Sequence, residues 1–130
     1  MITDLVADAL NQIKLGSCVK KKEVSFWSSK LLEEILRVME EEGYIRGFVT
    51  KIENNKRRTT VYLKYKDGVS SICGLKKITT PSRFVSSKAA KLPILMSGLG
   101  TVVVSTSRGV MCEKTARKQG LGGVILAYIW

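Results

Sequence analysis

The sequence predicts an α+β protein of two small lobes: an N-terminal α-β-α-β-β lobe over residues 1–67 and a β-rich C-terminal lobe with one short helix over residues 68–130. Three observations predict it. Apolar residues recur at helical spacing in two stretches before Gly43, and at alternate positions from Tyr44 onward. Apolar residues make up 45% of 130, enough for a real core in one domain or in two lobes that share an interface. The charge then changes abruptly at Asp67/Gly68. Residues 1–67 hold 13 basic and 10 acidic side chains, whereas residues 68–130 hold 9 basic and a single acid, Glu113.

The elements follow in order. Residues 4–14 read as a helix with Leu5, Ala9, Leu10 and Ile13 on one face and Thr3 as its N-cap. GSCVKKKEVSF follows as a basic loop and then a strand around Glu23–Phe26. Ser28 or Ser29 caps a second helix through about Glu42, with Leu31, Leu32, Ile35, Leu36 and Met39 as its buried stripe. Glu40–Glu42 stand at the end the helix dipole disfavours, and Gly43 is the expected residue after the cap. YIRGFVTKIE and RTTVYLKYK form a hairpin about Asn54-Asn55, with Val61, Leu63 and Tyr65 on one face of the second strand. A linker, or a mixture of loop and strand, occupies about 79–93, punctuated by Pro81 and Pro93. LPILMSGLG holds one short helical turn before Gly98 and Gly100. TVVVS is a buried strand, Glu113–Gln119 a short helix stopped by Gly120, and GVILAYIW, apolar on both parities, a central strand.

Composition excludes several functions. No run approaches the about 18 apolar residues of a membrane span, and the N-terminus lacks the pattern of a secretory or transit signal. Three cysteines, no CxxC pair and no histidine exclude zinc sites of the usual spacing, so Cys18, Cys73 and Cys112 read as free thiols. An enzyme would have to work without histidine, and no carboxylate pair can be built in the second lobe. Cys112 lacks an imidazole partner, and the glycines of GLG and GLGG do not form a phosphate loop. The net charge of +11, of which +8 lies in residues 68–130, instead points to a polyanion. Nucleic acid is the commonest such partner, and an anionic membrane surface the second.

The motif STSRG carries the chemistry. Ser105, Thr106 and Ser107 leave the end of a strand, where hydroxyls can bond a sugar, a base edge or a phosphate. Arg108 adds a guanidinium that forks onto phosphate, and Gly109 allows close approach or positive φ. The same residue types also form ordinary tight turns. The basic lobe around them decides for RNA, whose shallow minor groove displays 2′-hydroxyls and is recognised by shape. The GLGG run, which also flanks the short helix, is expected beside this loop.

GTVVVSTSRGVMCEKTARKQGLGGVILAYIW resembles the signature end of a known family, the eighth protein of the small ribosomal subunit, bacterial type. The pattern is carried by Gly100, Val103-Val104, Ser105-Thr106, Gly109, Val110-Met111 and Ala116-Arg117, and it continues through GLGG to the terminal AYIW. TDLVADALNQIK and SKLLEEILRVMEEEGYIRGF resemble its first two helices, and LKYK and GLKKIT the end of the first lobe and the start of the linker. The resemblance implies a two-lobe structural protein, not an enzyme and without cofactor or metal. It would bind the central domain of small-subunit rRNA, touch neighbouring ribosomal proteins, bind its own messenger in many bacteria, and act without homo-oligomers or a membrane. It places Ser105, Thr106, Ser107 and Gly109 in a distorted minor groove, Gly122 and Gly123 near the same surface, and Thr3 and Lys14 on or near an opening helix that also meets RNA. Arg108, Arg83, Lys88, Arg117 and Lys118 complete the candidate RNA-binding set.

The chain departs from the pattern in places. Ser82 stands where the family has glycine, Phe84 where a basic residue is common, and Ser86 where Tyr is common, so Arg83 would supply charge one position early and Phe84 a ring. Cys112 stands where Thr usually caps the short helix, a loss typically of about 1 kcal/mol. Lys20–Lys22 and Lys56–Arg58 read as basic loops that are either solvated or in reach of RNA, and Trp27 and Trp130 as packing residues. The alternatives are a non-ribosomal basic RNA-binding or mRNA-regulating protein and a protein-binding scaffold. The expected location is a ribosome, in a bacterial cytoplasm or in an organelle, with the plastid stroma ahead of the mitochondrion.

Overall fold

The computed structural model describes residues 5–78, 86–94 and 99–130. The chain divides into two compact units, Met1–Cys73 and Gly74–Trp130. No charged residue lies between Asp67 and Gly74, so the net charges of +3 and +8 belong equally to these units.

In the first unit, helix α1 (Leu5–Cys18) precedes strand β1 (Glu23–Ser28), helix α2 (Lys30–Glu41) and the hairpin of β2 (Ile45–Glu53) and β3 (Lys56–Leu63). The strands form an antiparallel sheet in the order β1-β3-β2. Both helices pack against it, and Leu10, Ile13, Leu32, Ile35, Leu36 and Met39 are fully buried with Val61 and Leu63. Each such side chain contributes about 1.5–3 kcal/mol relative to exposure. Ser29 caps α2 by accepting a hydrogen bond from the Leu32 amide at 3.3 Å. Gly43, at φ +83°, follows the Glu42 cap.

Three details differ from the sequence-based expectations, each for a packing reason. Helix α1 runs past Lys14 to Cys18, because Gly16 sits so close to the sheet that a Cβ would fall 2.7 Å from Val24 and 3.3 Å from Leu63. Close approach outweighs the low helix propensity of Gly-Ser-Cys. Leu31 is 38% exposed, and Val38 takes its place in the buried stripe. Strand β3 ends at Leu63, so Tyr65 does not extend its buried face. Tyr65 instead begins β4 (Tyr65–Lys66), which pairs with β5 (Val69–Ser70) about Asp67-Gly68, both at positive φ. Its phenol donates to the Lys21 carbonyl beyond the end of α1. Desolvation raises the phenol's pKa above its ordinary value, which disfavours its ionised form.

The second unit contains β6 (Leu75–Lys77), β7 (Ser86–Ser87), a 3-10 turn at Ala89–Lys91, β8 (Thr101–Thr106), β9 (Gly109–Cys112), α3 (Glu113–Lys118) and β10 (Gly123–Ile129). The sheet order is β6-β10-β8-β9, with β7 also paired to β10. Strand β10 is therefore interior, as its apolar character on both parities predicts. A register shift between Ile125 and Ala127 accompanies the burial of the consecutive residues Ile125, Leu126 and Ala127. Leu92, Val102, Val104, Ala116 and Ile125 form the core, with Ile78, Met111 and Tyr128 against it. Trp130 packs on Gly74, where a Cβ would lie 2.3 Å from the indole.

Strands β6 and β9 are not among the expected elements. At three and four residues they are too short to show a period, and pairing with β10 and β8 creates them. A 3-10 turn stands at Ala89–Lys91, ahead of LPILMSGLG. Within that run, residues 95–98 lie outside the described residues, as do Pro81, Ser82, Arg83 and Phe84 of the linker.

Candidate nucleic-acid interface

STSRG is the turn of a hairpin. Thr106 and Gly109 are the last pair of β8 and β9, and Ser107 and Arg108 are the two loop residues. The hydroxyls divide between the two roles available to them. Thr106 Oγ1 accepts from the Arg108 amide at 3.1 Å and donates to the Gly109 carbonyl at 2.8 Å, so it builds the turn. Gly109 takes φ +111°, a conformation side chains rarely adopt. With the turn held internally, Ser107 and Arg108 are exposed. Among the described residues nothing engages the Ser107 hydroxyl or the Arg108 guanidinium.

The glycine pair lies beside this hairpin for a steric reason. A Cβ on Gly123 would fall 2.1 Å from the Ser105 carbonyl oxygen, and one on Gly122 would fall 2.5 Å from the Ser87 carbonyl oxygen and 2.8 Å from Lys88 Cα. Bare backbone here lets the start of β10 run between β8 and β7. Val124 pairs with Ser105 on one side and Ser86 on the other, and Gly123 pairs with Ser87. One end of the sheet thus gathers Ser86, Ser87, Ser105 and Ser107 with the exposed cations Lys88 and Arg108. Ser86 and Ser87 are additions to the expected set. Their signal was a paired strand with β10, which two residues cannot announce.

The remaining candidates are placed as follows. Arg117 donates to the Leu92 carbonyl at 3.1 Å and lies 3.9 Å from the buried Glu113 carboxylate, so its guanidinium ties α3 to the segment after the 3-10 turn. Lys118 is exposed in the last turn of α3. Lys14 is exposed on α1, in the other unit. Thr3 and Arg83 lie outside the described residues. Cys112 is the N-cap of α3 without a side-chain cap bond. Its thiol is buried and 3.3 Å from the Thr115 hydroxyl. No group of three or more Cys, Asp or Glu side chains among the described residues is arranged to hold a metal ion. No described helix is long and apolar enough to cross a membrane.

Among the described residues, this geometry offers hydroxyls, amide backbone and the exposed cations Lys88 and Arg108 to a polar, anionic, contoured surface. Residues 4–130 match the family model described as ribosomal protein S8. Small ribosomal subunit protein uS8 of Malacoplasma penetrans is 45% identical over 131 residues, covering 100% of both chains. The uS8 proteins of Mesomycoplasma hyopneumoniae and Syntrophomonas wolfei are 45% and 41% identical, each across at least 98% of both chains. The matched span includes the hairpin, the glycine pair and both units, and the chain is a member of the ribosomal protein S8 family.

Proposed function

We propose that this chain, a structural constituent of the small ribosomal subunit, binds small-subunit rRNA through the sheet end formed by Ser105–Gly109, Gly122-Gly123 and Ser86–Lys88. The carrying observation is the division of labour in the hairpin. Thr106 closes the turn from within, which leaves Ser107 and Arg108 directed at solvent. Ser107 would bond a 2′-hydroxyl or base edge, and Arg108 a phosphate. Gly122 and Gly123 would act through position, by letting β10 pass close to Ser87 and Ser105 so that these strand ends share one surface with the hairpin. Lys88 and Lys118 would add phosphate contacts, and Thr3, Lys14 and Arg83 belong to the same reading through the resemblance. Arg117 would act through position, by holding α3 to Leu92.

The resemblance supplies the finer parts of the reading: the central domain of the rRNA as target, neighbouring ribosomal proteins as contacts, repression of its own messenger as a second use of the same surface, and action as a monomer with no catalytic role. The relatives named above are bacterial, which supports a bacterial ribosome and gives the organellar location no support.

Filter binding to a central-domain rRNA fragment across a salt series tests the hairpin. Ser107→Ala is expected to weaken binding about tenfold or less, the loss of one net hydrogen bond, with the salt slope unchanged. Arg108→Ala is expected to weaken it and also to lower the slope by about one phosphate's share, 0.7–0.9 in log–log units. Wild-type affinity in both variants would remove this loop from the interface.

A further inference from the structure

The sheet of the first unit has a face that its helices do not cover. Register places Trp27, Arg58 and Lys51 in one row of this face, and Tyr62 beside Gly47 in another. Trp27 is 41% and Tyr62 39% exposed. Trp27, expected as a packing residue, is thus partly open to solvent on this face. Its ring has Arg58 Cζ 5.1 Å and Lys56 Nζ 5.8 Å from the centroid, within cation–π range. The two aromatic residues are four positions apart along the ladder, about 13 Å at 3.3 Å per residue.

Open hollows that share Tyr62 follow the face. At one end a space of about 760 Å³ is lined by Lys22, Arg46 and Lys64 with Tyr62 and Tyr65. Tyr62 also borders the adjoining hollows, one beside Gly47 and one reaching Lys51 and Arg58. Six cations, counting Lys56, stand along this path against the carboxylates of Glu23, Glu53 and Glu40, the last near Gly47. Neither the fold nor the hairpin interface uses these rings, because the core lies on the opposite face. Flat exposed rings set among cations suit a ligand with planar faces and regular negative charge. A single strand of nucleic acid has both, with bases to stack and phosphates to pair. A partner bound only by charge would leave the rings without a role.

We propose that this face is a second RNA surface, separate from the hairpin, that takes unpaired nucleotides. Bases stack on Tyr62 and Trp27, and phosphates meet Arg46, Lys51, Arg58 and Lys64. The proposal is tested on the full chain carrying Trp130→Phe, so that Trp27 is the sole indole, with a short single-stranded oligouridylate as probe. Stacking should quench Trp27 emission saturably. The same quenching should vanish in the Trp27→Phe chain that keeps Trp130. Tyr62→Ala should weaken binding about five- to a hundredfold, the range for loss of one stacked base, whereas Tyr62→Phe should stay within about twofold, with circular dichroism unchanged in both. Ser107→Ala combined with Arg108→Ala should leave this titration as it was, so the outcome is independent of the hairpin reading. Absence of quenching, equal affinity in the Ala and Phe variants, or equal quenching by polyglutamate of the same length would overturn the proposal. The last result would assign the face to an acidic polypeptide.

Discussion

Among the described residues, the chain closes three hairpins with two-residue loops, and the two that join longer strands do so by different means. The β2–β3 loop uses Asn54 and Asn55, both in the left-handed region at φ 49° and 63°. That is the signature of the type I′ turn, whose twist matches the strands it joins. The β8–β9 loop uses Ser107 and Arg108 at negative φ, a threonine hydroxyl that bridges the loop, and a glycine at φ +111°. In the first case the loop residues themselves adopt the turn. In the second the flanking Thr106 and Gly109 carry the conformational burden, and the loop residues are free to be chosen for what they present. A turn supported from its flanks can offer a hydroxyl and a guanidinium to a partner. A turn made by its own centre is limited to the few residues that tolerate left-handed φ.

If the flanks carry the second hairpin, Gly109→Val should have the largest effect of the substitutions that separate the two. A β-branched residue at φ +111° is strained by about 1–3 kcal/mol. The equivalent substitution in the other hairpin, Lys56→Val, meets ordinary strand geometry and should change stability by about 0.5 kcal/mol or less. Urea denaturation of the two variants measures the difference. Equal losses would show that Gly109 is not the strained position.

Thr106→Val comes next. It keeps the shape and removes the hydroxyl, so the Arg108 amide and the Gly109 carbonyl both lose a partner. Both groups lie near solvent, so the expected loss is about 1 kcal/mol. Hydrogen exchange gives the sharper reading. The Arg108 amide should exchange faster in the variant, whereas amides at the Asn54-Asn55 turn should not change. An Arg108 amide with wild-type protection would mean that the hydroxyl does not hold the loop.

The same contrast explains what was legible in the sequence. Asn54-Asn55 is a local signal, since the pair tolerates the conformation it adopts, and the hairpin about it stands where the alternating pattern puts it. Helix α2 was equally legible, because Ser29, the apolar period and Gly43 all act within a few residues of one another. The ends of α1 and β3 were not. They depend on how near Gly16 comes to Val24 and Leu63, and on where Tyr65 finds a carbonyl. In the candidate site, Ser107 and Arg108 could be read as a motif. The internal role of Thr106 and the presence of Ser86 and Ser87 depend on pairing across the sheet. Gly122 and Gly123 were legible as unusual, but the carbonyls they make room for belong to Ser87 and Ser105, 35 and 18 residues earlier in the chain.

Asn55→Gly should have the smallest effect and decides whether the first hairpin needs its own side chains. Glycine removes the left-handed penalty that even asparagine bears, and Asn-Gly is the preferred pair for this turn. It also frees the unfolded chain, which offsets part of the gain. The expected result is a change of about 0.5 kcal/mol or less, in the stabilising direction, with rRNA affinity unaltered. A loss of more than about 1 kcal/mol would instead mean that the Asn55 side chain holds the loop by a bond of its own, as a cross-loop side-chain bond would contribute about that much. The two hairpins would then share side-chain support and differ in where it sits, at a loop position in the first and at the flanking Thr106 in the second.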